Sequence, residues 1–175
     1  MFTIRRAVLS DAPAMGRVHV RAWQAAYRGQ MPDAYLDGLS ATERARLWSG
    51  ILAKEDEARP ILVAEEDGEL AGFASVGPAS GSLDEGELYS INVDPGHWGH
   101  GCGRKLLAAA EDELAVRGYQ RAALWVLPGN ERARRFYRLA GWTEDGTERT
   151  AEVLGVEVAE VRYRRALEPP GHSIH

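Results

Sequence analysis

The 175-residue sequence is 45% hydrophobic and 27% charged, with a formal net charge of −5; this fits one soluble globular domain and excludes a disordered, collagen-like or coiled-coil chain. The acidic balance speaks against a nucleic-acid partner held by bulk charge and suits a neutral or cationic small molecule. Cys102 is the single cysteine, so no intramolecular disulfide forms; no apolar run reaches roughly 18 residues and the first residues lack a signal-peptide pattern, so the expectation is a cytoplasmic protein with no membrane partner.

Residues 2–8 read as a short strand. Ser10 or Asp11 then caps a helix with Pro13 in its first turn. Met15, Val18, Ala22 and Ala26 recur at helical spacing and form its buried face. His19, Trp23 and Tyr27 form a second stripe, read either as core or as the wall of a pocket, and Gly29 ends the helix. Residues 32–39 read as a helical turn. Residues 40–54 read as a helix opened by the capping-box pattern Ser40-Ala41-Thr42-Glu43.

The period then changes to that of strands. Residues 61–65 and 70–76 flank the hairpin signal Asp67-Gly68, and residues 87–93 form a further strand. A glycine cluster leads into an amphipathic helix carrying Leu106, Leu107, Ala110 and Leu114 and ended by Gly118. Residues 122–127 are a strand. Asn130 opens a helix with Ala133, Phe136, Tyr137 and Ala140 on one face, and Gly141 ends it. Residues 142–153 and 156–167 are the last two strands; alternation slips between Val158 and Val161, which reads as a bulge.

The order β-αα(α)-βββ-α-β-α-ββ implies an α/β chain with a mixed sheet and helices on both faces, not a doubly wound fold. One domain is expected over residues 1–167, with 168–175 a loose tail. His172 and His175 in that tail have no further ligands nearby, so no metal is expected. The last strands, with Val156, Val158, Val161 and Tyr163, are expected to form a sheet edge that pairs with a second copy in a homodimer.

The richest stretch runs from Val93-Asp94-Pro95 through Trp98-Gly99-His100-Gly101-Cys102-Gly103-Arg104 to Leu106-Leu107. A strand followed by glycines and a helix N-terminus offers free backbone N–H groups to phosphate. The P-loop pattern fails because Cys102 stands where Lys is needed, and the dinucleotide fingerprint fails at Arg104 and Leu106. The stretch resembles the pyrophosphate loop of the GCN5-related N-acetyltransferases, Gln/Arg-x-x-Gly-x-Gly/Ala, with Trp98 in place of Gln or Arg. The block from Asn130 to Trp142 is similar to the same family's Asn-x-x-Ala-x-x-Phe-Tyr-x-x-x-Gly-Phe.

The resemblance implies an acyl-CoA N-acyltransferase fold with acetyl-CoA as co-substrate and a small-molecule or peptide amine as acceptor. It implies that coenzyme A is held by residues 98–104 (Trp98, Gly99, His100, Gly101, Cys102, Gly103 and Arg104), by the strand backbone at Ile91, Asn92 and Val93, and by Asn130. Tyr137 matches the general acid that protonates the departing thiolate. An alkylamine arrives mostly charged, so a base is needed; Glu87 is the candidate, with Asp84 and Glu85 as alternates and a plain solvent-facing carboxylate as the other reading. Trp23, Tyr27 and Tyr89 are candidates for the acceptor wall. Cys102 at a helix N-terminus invites a ping-pong reading, but no His–carboxylate pair stands near it in sequence and the family transfers directly. A non-catalytic acyl-CoA sensor of the same fold and an O-acyltransferase remain open alternatives.

Overall fold

The computed structural model describes residues 1–153 and 155–169; His172 and His175 lie outside the described residues. The strands are β1 (Thr3–Arg6), β2 (Ile61–Glu66), β3 (Glu69–Pro78), β4 (Glu85–Val93), β5 (Arg121–Val126), β6 (Thr143–Val153) and β7 (Val156–Ala166). The helices are α1 (Ala12–Tyr27), α2 (Asp33–Asp37), α3 (Ala41–Ala53), α4 (Cys102–Val116) and α5 (Glu131–Leu139). All seven strands join one sheet in the order β1-β2-β3-β4-β5-β7-β6. Every pairing is antiparallel except β4 with β5. A parallel pair needs a crossover, and α4 supplies it.

Local chemistry sets the element ends. The Ser40 hydroxyl accepts the Glu43 N–H at 3.2 Å and starts α3. Asp67 and Gly68 both take positive φ, +52° and +79°, as a tight hairpin turn demands. Asp11 does sit at the N-cap of α1, but its side chain does not cap. Its oxygens instead accept from Arg5 at 2.8 and 2.9 Å and from the Val8 N–H at 2.7 Å, tying β1 to the helix start. Gly16 lets α1 and α3 meet backbone to backbone: a Cβ there would stand 2.5 Å from the Ala41 carbonyl oxygen.

Two cores sandwich the sheet. On one face Leu106, Leu107, Ala110 and Leu114 of α4 and Tyr137 of α5 pack on Ala74, Val76, Leu88, Leu124, Val161 and Tyr163. On the other, Met15 and Val18 of α1 and Trp48 of α3 pack on Ile61, Val63 and Phe73. Each fully buried Leu or Phe contributes about 1.5–3 kcal/mol. Beside the second core, Trp23, Met31 and Leu36 cluster with Leu127, Val153 and Val158.

That cluster corrects the expected bulge. Val158 faces the α1 side, whereas Val161 and Tyr163 face the α4 side. The slip in alternation is β7 changing which of its faces meets a core, with no irregularity in β7 itself. The irregularity lies across the ladder in β6, between Glu144 and Glu148. Trp142 also stays out of β6 and fills the core instead.

The expected dimer edge is likewise not where the sequence suggested. β7 is interior, flanked by β5 and β6, and its Val161 and Tyr163 are buried. The edge is β6, a mostly exposed strand rich in charge and interrupted by its register shift. Such features discourage edge pairing. No helix among the described residues is long and apolar enough to cross a membrane.

His19 is buried under Trp48 and Phe73, and its Nδ1 accepts the Trp48 indole N–H at 3.0 Å. Burial, with Arg44 adding, lowers its pKa from 6.5 to about 4. The folded chain therefore holds this imidazole neutral where the unfolded chain protonates it. Between those values the unfolded state binds more protons, so stability from this group falls as pH drops through the window, by up to about 3 kcal/mol, and is fully present above it. Urea unfolding from pH 7 to pH 4.5 should show a smaller loss of stability in His19→Gln than in the wild type. Parallel profiles would remove His19 as the cause.

Candidate active site

The sheet is open in its middle. β4 and β5 pair only from Glu85–Arg121 to Leu88–Leu124. Beyond that point β4 continues against β3 as far as Val93, and β5 against β7 as far as Val126. The divergence begins at a bulge: Leu88 faces Val76 and Ser90 faces Ser75, so Tyr89 is an extra residue on β4. The Ser75 and Ser90 hydroxyls meet at 2.6 Å across this ladder.

A cleft of about 2410 Å³ runs through the opening. The Asp94 N–H bonds the Ala71 carbonyl, so strand alternation turns Asn92 toward β3 as well and leaves Ile91 and Val93 facing the gap. Asn92 is thus spent on β3, and the gap is offered the main chain of Ile91 and Val93. The Val93 carbonyl already accepts the Trp98 indole N–H at 2.9 Å.

The glycine loop forms one end of the cleft. Asp94 caps the short turn Pro95–His97 by accepting the Gly96 N–H at 2.8 Å. Gly99 and Gly101 take φ of +78° and +87°, and a Cβ on either would meet no protein atom within 4 Å. Their bareness serves the left-handed backbone and open space outside the protein. Gly101 is the N-cap of α4. Gly103 packs close to Phe136, joining α4 to α5. Trp98, Gly99, Gly101, Cys102, Gly103 and Arg104 border the cleft, whereas His100 is exposed and does not.

Cys102 is 1% exposed. Burial, with Glu66 adding, pushes its thiol up to about 11. Desolvation outweighs the helix N-terminus here, so the thiolate needed for a ping-pong route is suppressed.

Asn130 caps α5, its Oδ1 accepting the Ala133 N–H at 3.2 Å. Tyr137 lies two turns along on the cleft side and is buried. Its ring touches Phe136 at 5.3 Å and sits 6.3 Å from Trp142 and from Tyr163. Burial, with Tyr27 adding, raises the phenol above its ordinary pKa of 10, so it stays protonated. No hydrogen bond holds its hydroxyl among the described residues. The Tyr27 phenol is raised mainly by burial, opposed by a hydrogen bond with Asn130 and helped by Glu160. Tyr27, Asn130, Tyr137 and Glu160 therefore belong to one neighbourhood.

Trp23 and Tyr27 pack edge to face at 4.9 Å and both border the cleft. Tyr89 also borders it, but its hydroxyl donates to the Pro78 carbonyl and it joins neither ring. Glu87 is half-buried and does not border the cleft. Burial raises its carboxyl, with Arg149 opposing and Glu160 and Glu85 adding. Of the carboxylates that border the cleft, Glu160 is the buried one among the described residues, and Arg149 holds it at 3.0 Å. The Arg149 guanidinium in turn lies 4.1 Å over the Trp125 ring. Sequence reading missed Glu160, Arg149 and Trp125. The slip between Val158 and Val161 brackets Glu160 and was the available signal.

The opening of the β4–β5 pair, the glycine loop and Tyr137 thus border one cleft. The model of the acetyltransferase (GNAT) family matches residues 20–142. The chain belongs to the GNAT family. The GNAT relative YuaI of Bacillus subtilis, an N-acetyltransferase by name, is 32% identical over 92% of this chain and 91% of its own length. The putative acetyltransferase yncA of Salmonella typhimurium, solved with its cofactor acetyl-CoA, superposes with a TM-score of 0.70 at 25% identity, covering 96% of this chain and 95% of that one. The paia N-acetyltransferase of Thermoplasma acidophilum, solved with coenzyme A, shares the fold at TM-score 0.76 and 18% identity, over 95% and 99% of the two chains. These GNAT structures fix the fold class as a mixed α/β sheet with helices on both faces.

Proposed function

We propose that this GNAT chain moves an acetyl group directly from acetyl-CoA to a primary amine of a small molecule or peptide. The observation that carries the reading is the main chain of Ile91 and Val93, joined to no neighbouring strand on the gap side and opening between a bare glycine loop and the protonated Tyr137. Backbone N–H groups of the loop at the α4 N-terminus suit a diphosphate. Space free of any Cβ at Gly99 and Gly101 suits its close approach. Acetyl-CoA supplies an activated thioester; the chain's residues orient it and manage the protons. A backbone N–H at the gap polarises the thioester oxygen, Asn130 holds the arm, and Tyr137 donates its phenolic proton to the leaving sulfur.

The amine must lose a proton to attack. Glu160 borders the cleft and Glu87 stands beside it, each able to take that proton through water. The acceptor's carbon body lies against Trp23 and Tyr27.

A thiol-release screen with acetyl-CoA across amino acids, polyamines, aminoglycosides and peptides should find an acceptor-dependent signal, with mass spectrometry placing the acetyl group on nitrogen. Cys102→Ala should keep at least about half of that turnover, since direct transfer needs no thiolate. Coenzyme A binding without turnover on any acceptor would favour a sensor, and loss of turnover in a folded Cys102→Ala would return the ping-pong route.

A further inference from the structure

Most arginines of this chain stand in ion pairs, Arg5, Arg134, Arg149 and Arg164 among them. Arg104, Arg132 and Arg135 stand in none among the described residues, and all three border the cleft, Arg104 just after the glycine loop and Arg132 over its Trp98. In a chain of net charge −5, guanidinium groups without acidic partners at the cleft go against the overall sign. Arg132 is the least comfortable of them. It occupies the first turn of α5, two residues past the N-cap, where the helix dipole opposes a cation. Its side chain is exposed, and partial desolvation alone acts on its pKa, lowering it with no acid in opposition.

What holds Arg132 there is Trp98. Its guanidinium carbon lies 3.3 Å from the Trp98 ring centroid. The ring is fixed along its edge by the indole N–H bond to the Val93 carbonyl at 2.9 Å. A guanidinium held over an indole face by cation–π attraction can still offer N–H groups to a phosphate fork. Trp98 occupies the loop position where the sequence pattern expects Gln or Arg.

We infer that Arg132 binds the diphosphate of coenzyme A, and that Trp98 is its positioning residue: the charge missing from the loop is delivered from α5, laid on the ring that replaced it. This rests on the proposed function and adds a residue to it. An indole cannot donate to phosphate while its N–H is bound to Val93, so the division of labour between ring and guanidinium follows from the hydrogen bond.

The test is calorimetric titration of coenzyme A into the wild type, Arg132→Gln, Trp98→Phe, Trp98→Ala and the Trp98→Ala/Arg132→Gln double variant, each first shown to be folded by thermal melting. Arg132→Gln should weaken binding about 10- to 100-fold, the range of a hydrogen bond to a charged group. It should also flatten the salt dependence of the affinity. Trp98→Phe, which keeps an aromatic face, should stay within about threefold of the wild type. Trp98→Ala should lose most of the Arg132 effect, and the double variant should bind no worse than about twofold below Arg132→Gln. Should Arg132→Gln melt early, Arg132→Leu keeps the aliphatic stem on the ring and asks the same question. Wild-type binding with unchanged affinity in Arg132→Gln overturns the inference alone. Full additivity in the double variant overturns the role of Trp98. Absence of coenzyme A binding by the wild type overturns the proposed function and this inference together.

Discussion

Tyr137→Phe should lower kcat by about 10²- to 10⁴-fold while leaving coenzyme A affinity within about twofold. The substitution removes one oxygen that no protein group among the described residues hydrogen-bonds. It keeps the ring contacts with Phe136, Trp142 and Tyr163. Thermal stability should therefore hold, and the loss should lie in the chemical step. Because burial holds the phenol above its ordinary pKa, it remains a competent proton donor well into alkaline pH. The pH–rate profile should then lack a falling limb from this group below about pH 10. Turnover surviving within threefold in Tyr137→Phe would reassign the tyrosine to packing.

Gly101→Asp should abolish measurable coenzyme A binding, a loss of at least about 100-fold. Two effects add. At φ +87° a side chain is strained by about 1–2 kcal/mol. A carboxylate at the N-cap of α4 then faces the incoming diphosphate, and like charges brought together cost several kcal/mol. A Cβ there meets no protein atom within 4 Å, and an acidic N-cap is compatible with the helix. The variant should therefore fold, and isothermal titration beside a melting curve separates lost binding from lost structure. Unchanged affinity in a folded Gly101→Asp would move the diphosphate elsewhere.

The element order was readable because each boundary has a local cause. Ser40, Asp67-Gly68, Gly118 and Gly141 act within a turn of themselves. The glycine loop and the block from Asn130 to Tyr137 were readable for the same reason: each is a continuous segment. What stayed hidden depends on which strand neighbours which. Val161 and Tyr163 looked like an edge because they belong to the last strands of the chain, yet the hairpin with β6 folds outward and leaves β7 inside. Glu160 reaches the cleft only through the pairing of β7 with β5. Glu87 was favoured for its place on the right strand, but bordering the cleft depends on the bulge at Tyr89, and no local pattern announces it. Arg132 sat in plain view inside a recognised motif; its meaning lies in the ring it covers, 34 positions earlier in the chain.

The gap between β4 and β5 is a sheet left unfinished. Main-chain groups in such a place take water or a guest as partner; under the proposed function the guest would be received as a strand is, by the main chain, at strand spacing. Recognition of this kind reads the guest's backbone rather than its side groups. Substitutions at Ile91 and Val93 can change the side chains and leave the ladder untouched, since the donors and acceptors belong to the peptide itself. Under the proposed function, the tolerance expected of this edge and the intolerance expected of Gly101 follow from one cause: the chain would bind with the part of itself that every residue shares.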